Sequence, residues 1–250
     1  MSTWRRFGDC WCLTPRRPRG IVEFLGGSYL AATPQLSYRR LLEGLADREL
    51  AIHAWSYVPG FDHQLQARQA WSSLRKCRTR LQDRLGERLP TLKLGHSLGC
   101  KLHLLAPDGG RSGLGFIGLS FNNFTADQSI PFLGAVAPSL GVNTEFSPSP
   151  RETLRLIQCH YLQTRNLVVR FGNDQLDQSP DLIATLQART DDASELCQLP
   201  GDHLTPASAG LRRQLLGDWA EGEERQRQVE QLHSLIVDWA SGNQSVTSAS

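Results

Sequence analysis

Short apolar runs alternate along this chain with segments whose apolar residues recur at the spacing of a helix. Buried strands are predicted where a few mostly apolar residues lie between glycine, proline or polar residues. These runs are residues 21–25, 51–57, 91–94, 114–121, 166–171 and 195–199. Helical spacing is found at residues 36–45, 65–85 and 98–105. Strands that alternate with helices predict an α/β fold with a doubly wound, mostly parallel sheet.

The end of the chain carries a further helical pattern. Val229, Leu232, Ile236 and Trp239 form an apolar stripe, which we expect to pack against the core. Residues 241–250 are small and polar and are predicted to be a disordered tail. A chain of 250 residues fits one domain, here residues 1–240, better than two.

Composition and charge exclude several classes of partner. Hydrophobic residues make up 40% and charged residues 21% of the chain, which is typical of a globular protein. The formal net charge is only +2, so no nucleic-acid partner is expected. The basic residues between 68 and 84 are interpreted as the solvated face of a helix. No apolar run is long enough to span a bilayer, although peripheral membrane contact stays open, and the absence of a secretory signal predicts a cytoplasmic protein.

The six cysteines give no metal signature. They stand at positions 10, 12, 77, 100, 159 and 197, without a C-x-x-C pair. Residues 10–13 are predicted to form a short edge strand rather than part of a metal site. We therefore expect no metal and no cofactor.

The strongest chemical motif lies between the strand at 91–94 and the helix at 98–105. Gly95-His96-Ser97-Leu98-Gly99 matches G-x-S-x-G, the pattern of a nucleophile elbow. The two glycines keep side chains out of the tight turn between strand and helix. Ser97 is therefore predicted to be a nucleophile at the carboxyl edge of the sheet, where ligands bind in such folds.

Partners for the serine follow two later strands. Asp174 and Asp177 come after the strand at 166–171, and His203 comes after the strand at 195–199. The chain order serine, acid, histidine is that of α/β-hydrolases. A neutral imidazole takes the serine proton, and a carboxylate orients that imidazole. Asp174 is the preferred acid because Asp177 is also placed to cap the following helix, so Asp177 is the alternative.

An oxyanion hole needs two backbone N–H groups. Leu98, the residue after the serine, supplies the first. The second is expected from the glycine loop after the strand at 21–25, through Ser28 or Gly27. The alternative for this loop is an ordinary glycine turn.

Taken together, these motifs resemble a known family. They are FLGGSYLAATPQLSYRRLLEGL at 24–45, FDH at 61–63, GHSLG at 95–99, SFNN at 120–123, SPSP at 147–150 and LPGDHLTP at 199–206. The sequence is similar, over residues 11–239, to an uncharacterised α/β-hydrolase-like family of cyanobacteria and plastids, domain of unknown function 1350. The resemblance implies an α/β-hydrolase fold and brings no established substrate.

The alternation of strands and helices stops at residues 122–161. This is the position at which hydrolases of this fold carry an inserted lid. This stretch carries four prolines and the apolar residues Ile130, Phe132 and Leu133. It is predicted to be a lid over the substrate pocket; the alternative is a long surface connection.

Five residues are candidates for the pocket: Tyr29, His96, Asp62, His63 and Phe132. Asp62 has the alternative role of capping the helix at 65–85. No residue near the site promises strong recognition of an anion, which favours a small hydrophobic or acyl-ester substrate.

Two classes of function follow. The first is a serine hydrolase of the esterase or lipase type, acting on a carboxylic ester through Ser97, His203 and Asp174 and an acyl-enzyme. A thioesterase or an acyltransferase would have the same residues. The alternative is a binding or assembly scaffold of the same fold without catalysis.

Overall fold

In the residues that the structure describes, eight strands form one sheet with helices on both of its faces. The structure, a computed structural model, describes residues 3–126, 145–207 and 223–242. In these residues the strand order is β1-β2-β4-β3-β5-β6-β7-β8. The strands are β1 (Arg5–Phe7), β2 (Cys10–Leu13), β3 (Gly20–Leu25), β4 (Leu50–Trp55), β5 (Thr91–His96), β6 (Gly115–Leu119), β7 (Asn166–Phe171) and β8 (Glu195–Leu199).

The two strands at the start of the chain are antiparallel, and the remaining pairs are parallel. The strand predicted at residues 10–13 is present as β2, but it lies between β1 and β4 and not at the edge of the sheet. β1 pairs with β2 and β2 with β4 in antiparallel register. From β4 to β8 all pairs are parallel. Leu25 at the end of β3 is paired with both Trp55 and Gly95, so the carboxyl ends of these strands lie at one edge of the sheet.

Helices cover both faces of the sheet. They are α1 (Pro34–Ser37), α2 (Arg39–Asp47), α3 (His63–Leu85), α4 (Leu98–Leu104), α5 (Pro150–His160), α6 (Ser179–Gln187) and α7 (Glu223–Ala240), with a 3-10 helix at Ser28–Ala32. Alternate residues of β3 point to opposite faces. Val22 and Phe24 pack with α2 and α7, whereas Leu25 packs with α3 and α4. The predicted doubly wound, mostly parallel sheet is confirmed.

The apolar stripe near the end of the chain packs as predicted. Val229, Leu232, Ile236 and Trp239 are all buried on α7. Gly44 of α2 lets this helix pack closely, because a Cβ there would lie 2.1 Å from the ring of His233. α2 and α7 therefore cover the face of the sheet opposite α3 and α4.

Two elements differ from the sequence prediction. The predicted helix at 36–45 is divided at Tyr38, whose buried side chain turns towards Gly27 and His96. The edge strand β1 (Arg5–Phe7) was missed because its sequence, RRF, has no apolar run and is largely exposed.

The predicted lid is only partly described. Its last part is the helix α5 (Pro150–His160), whose Ile157 is buried in the core with α6. Ile130, Phe132 and Leu133 lie outside the described residues, and so do residues 243–250 of the predicted tail. The lid and the tail remain predictions.

Candidate active site

Ser97 sits on a strained turn between β5 and α4. Its backbone has φ 55° and ψ −122°, a region that side chains other than glycine rarely adopt. The flanking glycines permit this turn: a Cβ on Gly95 would lie 2.7 Å from Cys100, and a Cβ on Gly99 would lie 2.0 Å from the carbonyl oxygen of Leu25. The turn geometry is that of the elbow that the motif predicts.

His203 and Asp174 lie together at the same edge of the sheet. Asp174 follows β7 and His203 follows β8. Nδ1–H of His203 donates to Oδ2 of Asp174 at 2.9 Å, and the amide of Leu176 donates to Oδ1 at 2.8 Å. Burial alone would raise the pKa of Asp174, but the hydrogen bond and the charge of His203 outweigh burial and hold that pKa below its usual value. The carboxylate is therefore ionised and can orient the imidazole.

Asp177 makes different contacts. Its Oδ1 accepts a hydrogen bond from the hydroxyl of Ser179 at 2.5 Å, and its Oδ2 lies 3.7 Å from Nε of Arg170. Burial raises the pKa of this carboxyl group. Asp177 thus holds the start of α6, while Asp174 faces the histidine.

His96 links the elbow to the loop that carries His203. The amide of Gly27 donates to the hydroxyl of Tyr38 at 2.7 Å, and that hydroxyl lies 2.8 Å from Nδ1 of His96. Nε2 of His96 lies 2.9 Å from the carbonyl oxygen of His203. A carbonyl only accepts, so Nε2 carries the proton and Nδ1 accepts from Tyr38. Burial, reinforced by the charge of His203, lowers the pKa of His96 to about 3, which keeps this ring neutral. The structure thus places His96 behind the site rather than in the wall of a pocket.

The hydroxyl of Ser97 has an amide neighbour that the sequence analysis did not single out. Nδ2 of Asn122 donates to Oγ of Ser97 at 2.8 Å. Within the residues described, no hydrogen bond joins this hydroxyl to the ring of His203. Asn122 follows β6 at the same edge of the sheet. This position was the signal in the sequence that could have indicated its contact with Ser97. Because Oγ is the acceptor in this bond, its own hydrogen remains available to another group.

Two backbone amides next to Ser97 are placed to bind an oxygen. Leu98 is the first residue of α4 and Ser28 the first of the 3-10 helix, so neither amide has an acceptor inside its helix. The glycine loop lies against the serine, because a Cβ on Gly27 would be 3.4 Å from Oγ of Ser97. The amide of Gly27 is already bonded to Tyr38, which leaves Ser28 as the available second donor.

A cavity of about 130 Å³ adjoins these amides. It is lined by Ser28, Tyr29, Val58, Pro59, Gly60, Phe61, His63, Leu98, Lys101, Asn122, Asn123, Phe124 and Phe146. Tyr29 lies at its rim and is 74% exposed. Asp62 instead caps α3, accepting a hydrogen bond from the amide of Leu65 at 2.8 Å. The neighbouring His63 lines the cavity in its place.

Lys101 was not anticipated in this cavity. It lies one turn after Ser97 on α4 and is almost completely buried. Burial lowers the pKa of its ammonium group to about 7. The sequence analysis expected no strong recognition of an anion near the site and did not foresee this buried amine in the cavity beside the elbow. Sequence reasoning missed it because a lysine in a helix is usually solvated.

In the described ranges 3–126, 145–207 and 223–242, no group of three or more His, Cys, Asp or Glu residues is arranged to hold a metal ion. No helix in these ranges is both long and apolar enough to cross a membrane.

Comparison with known families gives one match that covers nearly the whole chain. The model of a family described as protein of unknown function (DUF1350) matches residues 3–240. No curated protein matches the sequence.

Three solved structures that are similar to this chain are hydrolases by description. An α/β hydrolase, GrgF, from Penicillium sp. sh18 is 12% identical, with a TM-score of 0.58 and coverage of 97% of this chain and 98% of that one. The esterase Est2 from Thermogutta terrifontis, described with butyrate bound, is 14% identical, with a TM-score of 0.62 and coverage of 98% and 96%. A monoacylglycerol lipase from Paleococcus ferrophilus is 15% identical, with a TM-score of 0.57 and coverage of 98% and 100%. At these identities the similarity establishes the α/β-hydrolase fold and nothing finer.

Proposed function

We propose that this chain, which belongs to the DUF1350 family of proteins of unknown function, is a serine hydrolase of the esterase or lipase type. Its substrate is a carboxylic ester, and the reaction passes through an acyl-enzyme on Ser97. Neighbours described as an esterase and a lipase support a hydrolase at a coarse level.

The observation that carries the proposal is the pairing of a strained serine with an oriented histidine. Ser97 has the backbone of a nucleophile elbow. His203 follows β8 at the same edge of the sheet, and the ionised Asp174 accepts a hydrogen bond from Nδ1–H, which leaves Nε2 as the basic nitrogen. A purely structural turn needs neither the backbone strain nor this fixed tautomer.

The chemistry proposed for these residues has two halves. In acylation, Nε2 of His203 takes the proton of Ser97 while Oγ bonds to the ester carbon. The amides of Leu98 and Ser28 bind the oxyanion, and His203 then protonates the departing alkoxide. In deacylation, His203 takes a proton from water, the hydroxide attacks the acyl carbon, and Ser97 leaves with the proton. A side-chain rotation of Ser97 from Asn122 towards His203 is required before the first step.

One observation favours the alternative of a non-catalytic scaffold. The hydroxyl of Ser97 is bonded to Asn122 and, in the described residues, is not bonded to the ring of His203. A scaffold would retain this arrangement when a small ester is added. An enzyme would not, because Oγ must leave Asn122 to form a bond with the acyl carbon.

Turnover of p-nitrophenyl butyrate tests the proposal. We expect release of p-nitrophenol by the wild-type protein and loss of at least about a thousandfold in kcat for His203→Gln, since the general base is removed. His160→Gln, which changes an exposed histidine on α5, is the matched control and should retain full activity. Equal turnover by the two variants would contradict the assignment of His203.

A further inference from the structure

The cavity beside Ser97 is lined by a buried amine. Lys101 is 1% exposed, and its Nζ donates to the carbonyl oxygen of Pro148 at 3.2 Å. An ammonium group has three N–H donors. In the part of the chain that the structure describes, no carboxylate lies within 4 Å of Nζ. Burial of a charge without a counter-charge is unfavourable, so this group is suited to an anionic ligand.

Two more polar groups in the cavity lack partners. Both ring nitrogens of His63 are buried with no hydrogen bond in the described residues, and the ring lies 4.4 Å from that of Phe146. Oδ1 of Asn123 is also unpartnered there, while its Nδ2 donates to the carbonyl oxygen of Pro150 at 2.8 Å. Burial, together with the charge of Lys101, lowers the pKa of His63 to about 3. The neutral ring therefore offers one N–H donor and one lone pair.

The remainder of the lining is apolar and leaves little space. Val58, Pro59, Leu98, Phe124 and Phe146 contribute hydrocarbon surface. The volume of about 130 Å³ is close to that of the roughly 150 Å³ cavity that holds benzene in another protein. The cavity therefore suits a group of about six non-hydrogen atoms with short methylenes against the walls and a charged end at Lys101.

We propose that this cavity binds a short acyl group that ends in a carboxylate, with Lys101 and His63 donating to the carboxylate oxygens. The inference rests on the proposed function, because it places the ester carbonyl between the amides of Leu98 and Ser28 and the rest of the acyl group in the cavity. The substrate class is thus the monoester of a short dicarboxylic acid, with about two or three methylenes between the carboxyl groups.

Lys101 has a competing structural role that the test must separate. Its bond to Pro148 ties α4 to the segment before α5. If this were its only role, removal of the ammonium group would affect all esters to the same extent. A role in recognition affects only the ester that carries a carboxylate.

The experiment compares two esters of nearly equal shape. Monoethyl succinate carries a terminal carboxylate, and ethyl 4-methylpentanoate carries an isopropyl group in its place. Ethanol release is followed by ¹H NMR. We expect kcat/KM of the wild-type protein to be at least about tenfold higher for monoethyl succinate, and Lys101→Met to lower the ratio of the two values by about 10- to 100-fold. Lys76→Met, on the exposed face of α3, is the control and should leave the ratio unchanged.

Direct binding separates failure of this proposal from failure of the proposed function. Succinate is titrated calorimetrically into the wild-type protein, Ser97→Ala and Lys101→Met. Binding that requires Lys101 but not Ser97, without hydrolysis of either ester, would retain the cavity assignment and overturn the proposed function. Hydrolysis of both esters with no preference, or an equal loss for both in Lys101→Met, would overturn the cavity assignment alone. His63→Phe, expected to lower the same ratio, replaces Lys101→Met if that variant does not give a wild-type far-UV circular dichroism spectrum.

Discussion

At the scale of single residues, the two carboxylates after β7 differ in their hydrogen-bond partners. Asp174 bonds to Nδ1 of His203, whereas Asp177 bonds to the hydroxyl of Ser179 at the start of α6. If His203 is the base, only the first carboxylate fixes its tautomer.

Asp174→Asn is therefore expected to lower kcat on p-nitrophenyl butyrate by about ten thousandfold, by analogy with triad aspartates elsewhere. Asp177→Asn should lower it only slightly. The two steady-state rates, measured on variants with the same melting temperature, give the comparison. A larger loss of kcat in Asp177→Asn would instead identify Asp177 as the acid that orients His203.

Tyr38 provides a second test of a single residue, as a positioning group. Tyr38→Phe leaves the amide of Gly27 and Nδ1 of His96 without a partner. We expect a loss of about 1–3 kcal/mol in the free energy of unfolding and a fall in kcat with little change in KM, because the carbonyl of His203 is held through His96.

Tyr161→Phe is the matched control for this prediction. Its hydroxyl is also buried and lies 3.0 Å from Oδ1 of Asn166. The control should lose stability and retain kcat. A retained kcat in Tyr38→Phe as well would limit Tyr38 to a structural role.

Sequence alone could identify only the residues whose positions follow from strand ends. Ser97, Asp174 and His203 were chosen because each follows a predicted strand in a recognisable order. Tyr38 and Asn122 were not, since their contacts with His96 and Ser97 join residues that are far apart in the sequence. Lys101 was missed for a different reason: burial of a charged side chain contradicts its usual exposure and is visible only in the folded chain.

At the scale of elements, the elbow depends on close packing of β3 against α4. A Cβ on Gly99 would lie 2.0 Å from the carbonyl oxygen of Leu25, so the backbone of β3 or of α4 would have to shift beside Ser97. Gly99→Ala is expected to lower the free energy of unfolding by about 3 kcal/mol or more and to abolish turnover.

Gly86→Ala is the comparison for this prediction. Gly86 ends α3 with φ 73°, and a Cβ there would meet no atom within 4 Å. This change should cost only about 1 kcal/mol of stability through backbone strain and leave turnover intact. Similar effects of the two substitutions, measured by urea unfolding and ester turnover, would show that Gly99 has no special role.

The elements that could be predicted are those with a buried face. The parallel strands β3 to β8 give apolar runs, although in β8, which lies at the edge of the sheet, only alternate residues are at least partly buried. The sequence did not predict the break at Tyr38 in the helix at 36–45. The break accompanies contacts of Tyr38 with Gly27 and His96, which are distant in the sequence, and does not follow from the local residues.

At the scale of the whole molecule, buried neutral histidines make stability depend on pH. Burial lowers the pKa of His63, His96 and His103 to about 3 each, against 6.5 for an unperturbed histidine. Between these values the unfolded chain binds more protons than the folded one. The free energy of unfolding therefore falls as the pH decreases below 6.5.

We expect a loss of up to about 2 kcal/mol for each of these histidines between pH 7.5 and pH 5. Urea unfolding across this range measures the slope. His103→Gln should give a shallower slope than the wild-type protein, whereas His160→Gln, on the exposed face of α5, should not. A stability that is constant from pH 7.5 to pH 5 would contradict the burial of these rings in their neutral form.

The central claim is that Ser97 is an activated nucleophile, and a fluorophosphonate probe tests it without knowledge of the substrate. The probe reacts with serines that a neighbouring base activates, forming a stable bond to Oγ. We expect mass spectrometry to find one label on the peptide that contains Ser97, no label in Ser97→Ala, and full labelling in Ser72→Ala, a serine on the partly exposed face of α3. Labelling of Ser97→Ala to the wild-type level, or no labelling of the folded wild-type protein, would contradict the claim.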